Sequence, residues 1–486
     1  MTITTRPSRG GPSLLGGSID VPVNPCRHES PRSVDPWTGE AGTAGSVALV
    51  GAGKMGLPLA AQFASHGWQV TAVDVNPAVV EAINAGRSHV AEEPGLVEAV
   101  AAAHASGRLG ATTDGTAASR SAHVVVVIVP VMLNDRQQPD YRYMDAAVAA
   151  IGPGLRPGSL VIFETTLPVG DTRVRFTPAL EAASGLTVDE DLFVAFSPER
   201  LLSGHVFQNL ATYPKLVGGI GPASTARAAA FYASVLDAEV VAMSNAEAAE
   251  FAKLAETTYR DVNIALANEF ANYAERVGVD IQEVIAAANS QPYSHIHQPG
   301  IGVGGHCIPV YPHFLLSRAP EMTLVDASRK ANDGQVDRAI ETLQDALGSV
   351  GGGGGLGGPG GGLDGAEVLV LGLTYRDGVK ELAYSRAIPL IQGLRARGAR
   401  VLAFDPLLDD DEIVQVGAVP WPWGSAAPSV RAIVTQTADP VFASLDPGWF
   451  PDLRVVLDGR NSLRELALPA GVAYHGIGVP GRTGAR

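Results

Sequence analysis

The segment Gly300-Ile-Gly-Val-Gly-Gly-His-Cys307 places a thiol at the end of a run in which five of eight residues are Gly or Cys. Glycines let backbone come close to a ligand, and a thiol held among backbone N–H groups is stabilised as the nucleophilic thiolate. On its own the run also fits a tight turn before a buried, inert cysteine. About 250 residues upstream, Gly51-Ala-Gly53-Lys-Met-Gly56 follows a short apolar run, and Asp74 stands 18 residues beyond Gly56. This is the spacing of a dinucleotide-binding turn. The first two glycines allow the turn and the approach of a pyrophosphate, the third lets a helix pack on a strand, and the acid meets the ribose hydroxyls and favours NAD over NADP. Gly51, Gly53, Lys54, Met55, Gly56 and Asp74 are therefore the candidate cofactor-binding residues. A redox cofactor together with a poised thiol points to an oxidation that passes through a carbonyl and captures it covalently.

Other groups have weaker signals. Lys253, Thr257 and Arg260 fall at i, i+4 and i+7, one polar stripe that by itself reads as a solvated helix face. Glu199 and Arg200 follow an apolar run in Phe196-Ser-Pro-Glu199-Arg200, and Thr165-Thr166-Leu-Pro168-Val-Gly170 ends another. Both would lie at the C-terminal edge of a parallel sheet, where open α/β folds bind ligands, although Ser and Pro are ordinary turn residues as well.

These groups need a scaffold, and the chain supplies one. Short apolar runs at 46–50, 68–75, 123–129, 159–164 and 192–196 alternate with Ala-rich helical stretches, the first of them at 54–66. That alternation predicts a parallel sheet with helices on both faces, an NAD-binding Rossmann domain over 45–243. Ser244 and Glu247 have capping-box spacing, and no Gly or Pro interrupts the chain until Gly278. A helix of roughly 50 Å follows at 1.5 Å per residue, long enough to bridge domains or subunits. With helices at 281–289 and 322–332 it makes a helical central domain over 244–335. Residues 336–365 read as a connector with a glycine-rich insert at 351–365, and strands at 367–371, 400–404, 431–435 and 454–457 with a helix at 385–397 read as a second Rossmann-like domain over 366–478. Residues 1–44, rich in Pro, Gly, Ser and Arg, read as a disordered leader.

Composition sets limits. The 486 residues exceed what one core accommodates, and a net charge of −15 with 35 Lys plus Arg disfavours nucleic acid and anionic membrane as partners. Two cysteines, Cys26 and Cys307, cannot build a disulfide framework, and no apolar run reaches the ~18 residues of a membrane span. A cytoplasmic protein without a metal site is expected.

Taken together the residues resemble the UDP-glucose/GDP-mannose dehydrogenase family, in particular its branch acting on UDP-N-acetylhexosamines. The resemblance spans about residues 46–475. It rests on Gly51-x-Gly53-x-x-Gly56, Thr166-x-Pro168-Val-Gly170, Ser197-Pro-Glu199-Arg200, Lys253-Leu-Ala-Glu256 leading into Arg260 and Asn268-Glu269, Gln298-Pro-Gly running to Gly304-Gly-His-Cys307, and Asp458-x-Arg460-Asn461. It implies an NAD-dependent enzyme that dimerises through its central helices and binds the nucleotide sugar between the middle and C-terminal domains. The implied reaction is a four-electron oxidation at C6 through a Cys307 thiohemiacetal and thioester. Lys253 would stabilise the oxyanion, Glu199 and Thr166 would serve the water or proton relay, Thr166 would also contact the NAD cofactor, and Glu199, Arg200, Lys253, Thr257, Arg260, Gly304 and Arg460 would contact the substrate. The chain departs from the family's pattern in four places: Tyr311 where Asp is usual, Thr257 where Asn is usual, Tyr293 where the hexosamine branch often has Arg, and Glu381-Leu-Ala-Tyr-Ser385 where Asp-x-Arg-x-Ser is common. A single-step hydroxyacid dehydrogenase of the 6-phosphogluconate type would share the cofactor fold but needs neither the cysteine nor a second Rossmann-like domain. A nucleotide-sugar-binding regulator is the alternative that the departures suggest.

Overall fold

The computed structural model of the protein describes residues 45–90, 93–349 and 362–485. The expected leader and most of the glycine-rich insert lie outside them. The first sheet has eight strands, in the order Val240–Ala242, Lys215–Gly219, Phe193–Phe196, Leu160–Phe163, Val124–Val127, Ser46–Val50, Gln69–Val73 and Leu109–Thr112. All neighbours are parallel except Phe193–Phe196 with Lys215–Gly219. Runs such as Val124–Val127 are buried at every position, as strands covered on both faces must be. The chain builds outward from Ser46–Val50 to Leu109–Thr112, then returns to its other side with Val124–Val127, so the switch point opens beside the glycine turn. The turns carrying Thr166 and Glu199 leave the carboxyl ends of the next two strands.

The long helix runs Ala246–Val277, 32 residues. Its N-cap is Asn245, whose side chain accepts from the Ala248 N–H, and not the expected Ser244. The Glu247 carboxylate is turned instead to Arg173. Gly278, at φ 72°, closes the helix in the left-handed conformation that glycine adopts without strain. Ala246, Ala249 and Leu254 share a core with the first sheet, and so do Val310, Phe314 and Leu315 from the segment after Cys307. Helix Thr323–Asp333 is fastened to the long helix by a buried polar set in which Arg329 pairs with Asp261 and Asn332 donates to Asp261.

The second sheet orders Val419–Pro420, Arg400–Phe404, Glu367–Leu371, Val430–Thr435, Val455–Asp458, Ala473–Gly476 and Arg482–Thr483, parallel except for the last pair. The first part of the expected connector at 336–365 is helical. Helix Gln335–Ser349 sends Val336, Ile340, Leu343 and Leu347 into the core under this sheet, where Leu363 joins them. The apolar spacing i, i+4, i+7, i+11 is what drives this helix onto the sheet.

Candidate active site

The glycine turn is built by contact. A Cβ on Gly56 would lie 1.8 Å from the Gly51 carbonyl oxygen, and Gly51 sits at φ +99° against the Ile128 backbone. Gly53, in contrast, has nothing within 4 Å of a Cβ and is exposed. The open seat lies where the helix Gly56–Ser65 begins, with no side chain capping its first turn. Uncapped N–H groups at a helix start, beside a glycine with free space, fit the pyrophosphate of a dinucleotide. Asp74 stands at the end of the adjacent strand and braces the turn: its Oδ2 accepts from the Ala52 N–H (3.0 Å) and its Oδ1 from the Asn76 N–H (2.9 Å). Lys54 points out of the turn toward the C-terminal domain, donating to the Lys380 carbonyl at 3.3 Å and lying 3.5 Å from the Glu381 carboxylate.

Around Cys307 four chain segments converge. The thiol is half-buried, at the start of the turn that leads into helix Tyr311–Leu316. The Tyr311 hydroxyl is close enough to Cys307, to the buried Thr166 and to Glu199 for each to shift its titration. Burial, with Cys307 close by, pushes this phenol well above its ordinary pKa, so it stays protonated and keeps a proton to donate as well as an oxygen that accepts. Lys253 is 4 % exposed, and its Nζ lies 6.0 Å from the centre of the Tyr311 ring. The Lys253 stripe is therefore an internal face of the helix, not a solvated one: Thr257 is fully buried and Arg260 half-buried. Burial raises the pKa of Glu199, with Lys253 the strongest opposing influence, and its carboxylate accepts from the Leu201 N–H. Behind it the buried Glu164 pairs with Lys215 at 2.9 Å and accepts from the Tyr232 hydroxyl.

Other expected residues have different surroundings. Thr257 donates its hydroxyl to the Lys253 carbonyl of its own helix (2.9 Å), leaving only an acceptor oxygen free to act elsewhere. Arg200 donates to Glu256 (2.9 Å), which also lies 3.8 Å from Arg260. The Arg260 Nε is buried without a partner. Gly304 leaves no room for a side chain because Tyr375 and the Tyr384 carbonyl lie 3.0 Å from where its Cβ would be. The glycine run is thus the seat of the C-terminal domain. Arg460 reaches within 3.1 Å of the same point on Gly300, and Gln436 donates to the Ile301 carbonyl. Tyr293 is 91 % exposed and meets none of these groups.

Three contacts go beyond the roles the sequence assigned: Arg376 is new, while Asn268 and Glu381 lie in motifs already noted but without a role. Arg376 leaves the carboxyl end of Glu367–Leu371, donates to the Ser203 carbonyl across the cleft and keeps a buried Nε without partner; its place after a strand end was the available signal. Asn268 accepts from the Gly300 N–H at 2.9 Å and so anchors the start of the glycine run. Glu381 lies 3.6 Å from His306 and 3.5 Å from Lys54, and His306 above all holds its carboxyl low, at about 2. A separate cavity of about 210 Å³, lined by Asn272, Glu275, Arg338 and His475 among others, borders none of these groups.

A dinucleotide cradle beside a cysteine, a buried lysine and a second Rossmann-like domain defines a nucleotide-sugar dehydrogenase that uses NAD. The chain belongs to the UDP-glucose/GDP-mannose dehydrogenase family: residues 45–236 match its NAD binding domain, 247–334 its central domain and 369–465 its UDP binding domain. A UDP-N-acetyl-D-mannosamine dehydrogenase of Pyrococcus horikoshii is 33% identical over 89% of this chain and 99% of its own, and its structure superposes with a TM-score of 0.78. An NDP-N-acetyl-D-galactosaminuronic acid dehydrogenase of Ralstonia nicotianae is 34% identical over 71% of this chain and 79% of its own. A UDP-glucose dehydrogenase of Pyrobaculum islandicum, 27% identical over 93% of this chain and 99% of its own, also gives a TM-score of 0.78. The enzyme oxidises a nucleotide sugar with NAD. Among the described residues no helix is long and apolar enough to cross a membrane.

Proposed function

We propose that the protein oxidises the C6 hydroxymethyl of a UDP-N-acetylhexosamine, UDP-ManNAc or UDP-GlcNAc, to the carboxylate through a covalent Cys307 intermediate. NAD supplies the hydride acceptor for both oxidations. Once C6 is an aldehyde, the Cys307 thiolate adds to its carbonyl carbon, and the C=O electron pair moves onto oxygen. Lys253, buried with its Nζ 6.0 Å from the centre of the Tyr311 ring, stabilises that oxyanion. Loss of the second hydride from the thiohemiacetal leaves a thioester. Water then attacks the thioester carbon, the C–S bond breaks and the thiolate is restored. Glu199, whose burial lets it hold a proton above the usual carboxylate range, takes a proton from that water. Thr166 and the Tyr311 hydroxyl orient the water, Tyr311 as a neutral phenol that does not act as a base. Arg260, Arg376 and Arg460 are assigned to the diphosphate as its cationic partners. The observation that carries the reading is the convergence of Cys307, Lys253, Thr166 and Glu199 on Tyr311. The hexosamine preference rests on the names of the Pyrococcus and Ralstonia relatives. An NADH-release assay over UDP-GlcNAc, UDP-ManNAc, UDP-Glc, UDP-Gal and GDP-Man tests it; faster turnover of UDP-Glc than of either hexosamine would reject the preference.

The protein acts as a homodimer in this proposal. Tyr259, Leu266, Phe270, Tyr273 and Val277 are exposed and line one stripe of the long helix. A row of apolar groups at this spacing is what a partner helix covers. Light scattering should give a dimer for the wild type and a monomer for Leu266→Asp/Phe270→Asp; a wild-type monomer rejects the proposal.

A further inference from the structure

Glu250 is fully buried on the long helix, one turn before Lys253, and takes no part in the chemistry above. Its carboxylate accepts from the Gly170 N–H (2.6 Å), the Thr172 N–H (3.0 Å) and the Thr172 hydroxyl (2.6 Å). These donors belong to the turn that begins at Thr165, whose own hydroxyl is tied to the Val129 carbonyl at 2.6 Å. Only Leu167, Pro168 and Val169 separate Thr166 from Gly170, and Leu167 is buried. Holding Gly170 therefore fixes Thr166, and the carboxylate that holds it is anchored three residues from Lys253.

We propose that Glu250 is a positioning residue for the oxidation: its ionised carboxylate locks the 165–172 turn, and Thr166 with it, onto the helix that carries Lys253. The inference rests on the roles assigned above to Thr166 and Lys253. An ionised carboxylate offers acceptors to all three donors, whereas a protonated one brings a proton into a shell of donors and loses a contact. The charged groups around it are Asp171 and Arg173 on the turn and Glu247 on the same helix. Asp171 is engaged by Tyr141 and Arg318, and Arg173 pairs with Glu247. Burial raises the Glu250 carboxyl to about 7, the three donors pull it down, and Asp171 adds to the rise. The positioned state therefore fills as pH rises through about 7.

The test measures kcat and KM from pH 5.5 to 9 for the wild type, Glu250→Gln and Thr172→Val, with the pH dependence of Cys307 alkylation on the same samples to separate the thiol's titration. Glu250→Gln should lower kcat at pH 8 roughly 10–100-fold, as misplacement of a site group does, with the UDP-sugar KM within about threefold. Glu250→Asp, which keeps the charge, should recover part of that rate. Thr172→Val removes one donor to the ionised form and should move the acidic limb of kcat up by roughly half to one pH unit, an arm that holds even if Glu250→Gln does not fold. A limb that does not move in Thr172→Val, or a Glu250→Gln enzyme with the wild-type rate at pH 8, overturns the proposal. A wild type that oxidises no UDP-sugar would instead reject the function on which it rests.

Discussion

Gly53→Ala separates cofactor binding from folding. A Cβ on Gly53 meets nothing within 4 Å, and the residue is not among the glycines with positive φ. The fold should therefore accept alanine, with stability unchanged or raised by about 0.4–1 kcal/mol through the unfolded chain. The new methyl would occupy the seat of the pyrophosphate. Losing one charge-assisted hydrogen bond there costs about 1.5–3 kcal/mol, and tenfold in affinity corresponds to about 1.4 kcal/mol, so the NAD dissociation constant should rise about 10–100-fold. Gly56→Ala is the contrast. Its Cβ would stand 1.8 Å from the Gly51 oxygen, where real Cβ contacts essentially never fall below 3.0 Å, so the turn itself must move. That variant should lose at least about 1–3 kcal/mol of stability together with NAD binding. Differential scanning fluorimetry gives the stabilities, NADH fluorescence titration the cofactor affinity, and UDP-sugar calorimetry the control. If Gly53→Ala binds NAD like the wild type, the pyrophosphate does not sit at this turn.

Asp74→Ala removes the acceptor for two backbone N–H groups and, if Asp74 holds the ribose as proposed, a cofactor contact, so NAD affinity should fall and melting temperature drop modestly while UDP-sugar affinity holds; calorimetry with each ligand checks this. Lys253→Ala should lower kcat by on the order of 10²–10³ while Cys307 remains open to alkylation, the signature of a lost oxyanion donor. Because burial raises the Glu250 carboxyl from 4.5 to about 7, its stabilising contribution is full below pH 4.5 and lost as pH rises through about 7, about 3 kcal/mol over the whole window. Between pH 5 and 8 Glu250→Gln should flatten the fall in melting temperature, and thermal melts at those two pH values show it.

Much of this was legible because it is local. Ser46–Val50, Glu367–Leu371 and Arg400–Phe404 match their apolar runs end for end, and the absence of Gly or Pro up to Gly278 marks the long helix. Short or polar-flanked strands such as Leu109–Thr112 and Ala473–Gly476 were not found, since only their neighbours in the sheet make them strands. The helix Gln335–Ser349 had the right period but was hidden by the glycine-rich insert beside it. In the site, the motifs pointed to Cys307, Lys253 and the glycine turn. Their supports were not visible. Glu250, Asn268 and Arg376 act on groups 32 to 173 residues away, and no local pattern records such a contact. The polar stripe of Lys253 and Thr257 looked solvated for the same reason: the covering segments, Tyr311 among them, lie far along the chain.

The stoichiometry of NADH to sugar tests the covalent double oxidation most directly. With limiting UDP-N-acetylhexosamine, the wild type should release two NADH per sugar and yield the uronate by mass spectrometry. Cys307→Ala should bind NAD and the UDP-sugar yet yield no uronate, with at most slow NADH release from the first oxidation. One NADH per sugar from the wild type, or uronate from Cys307→Ala at near the wild-type rate, would contradict the account.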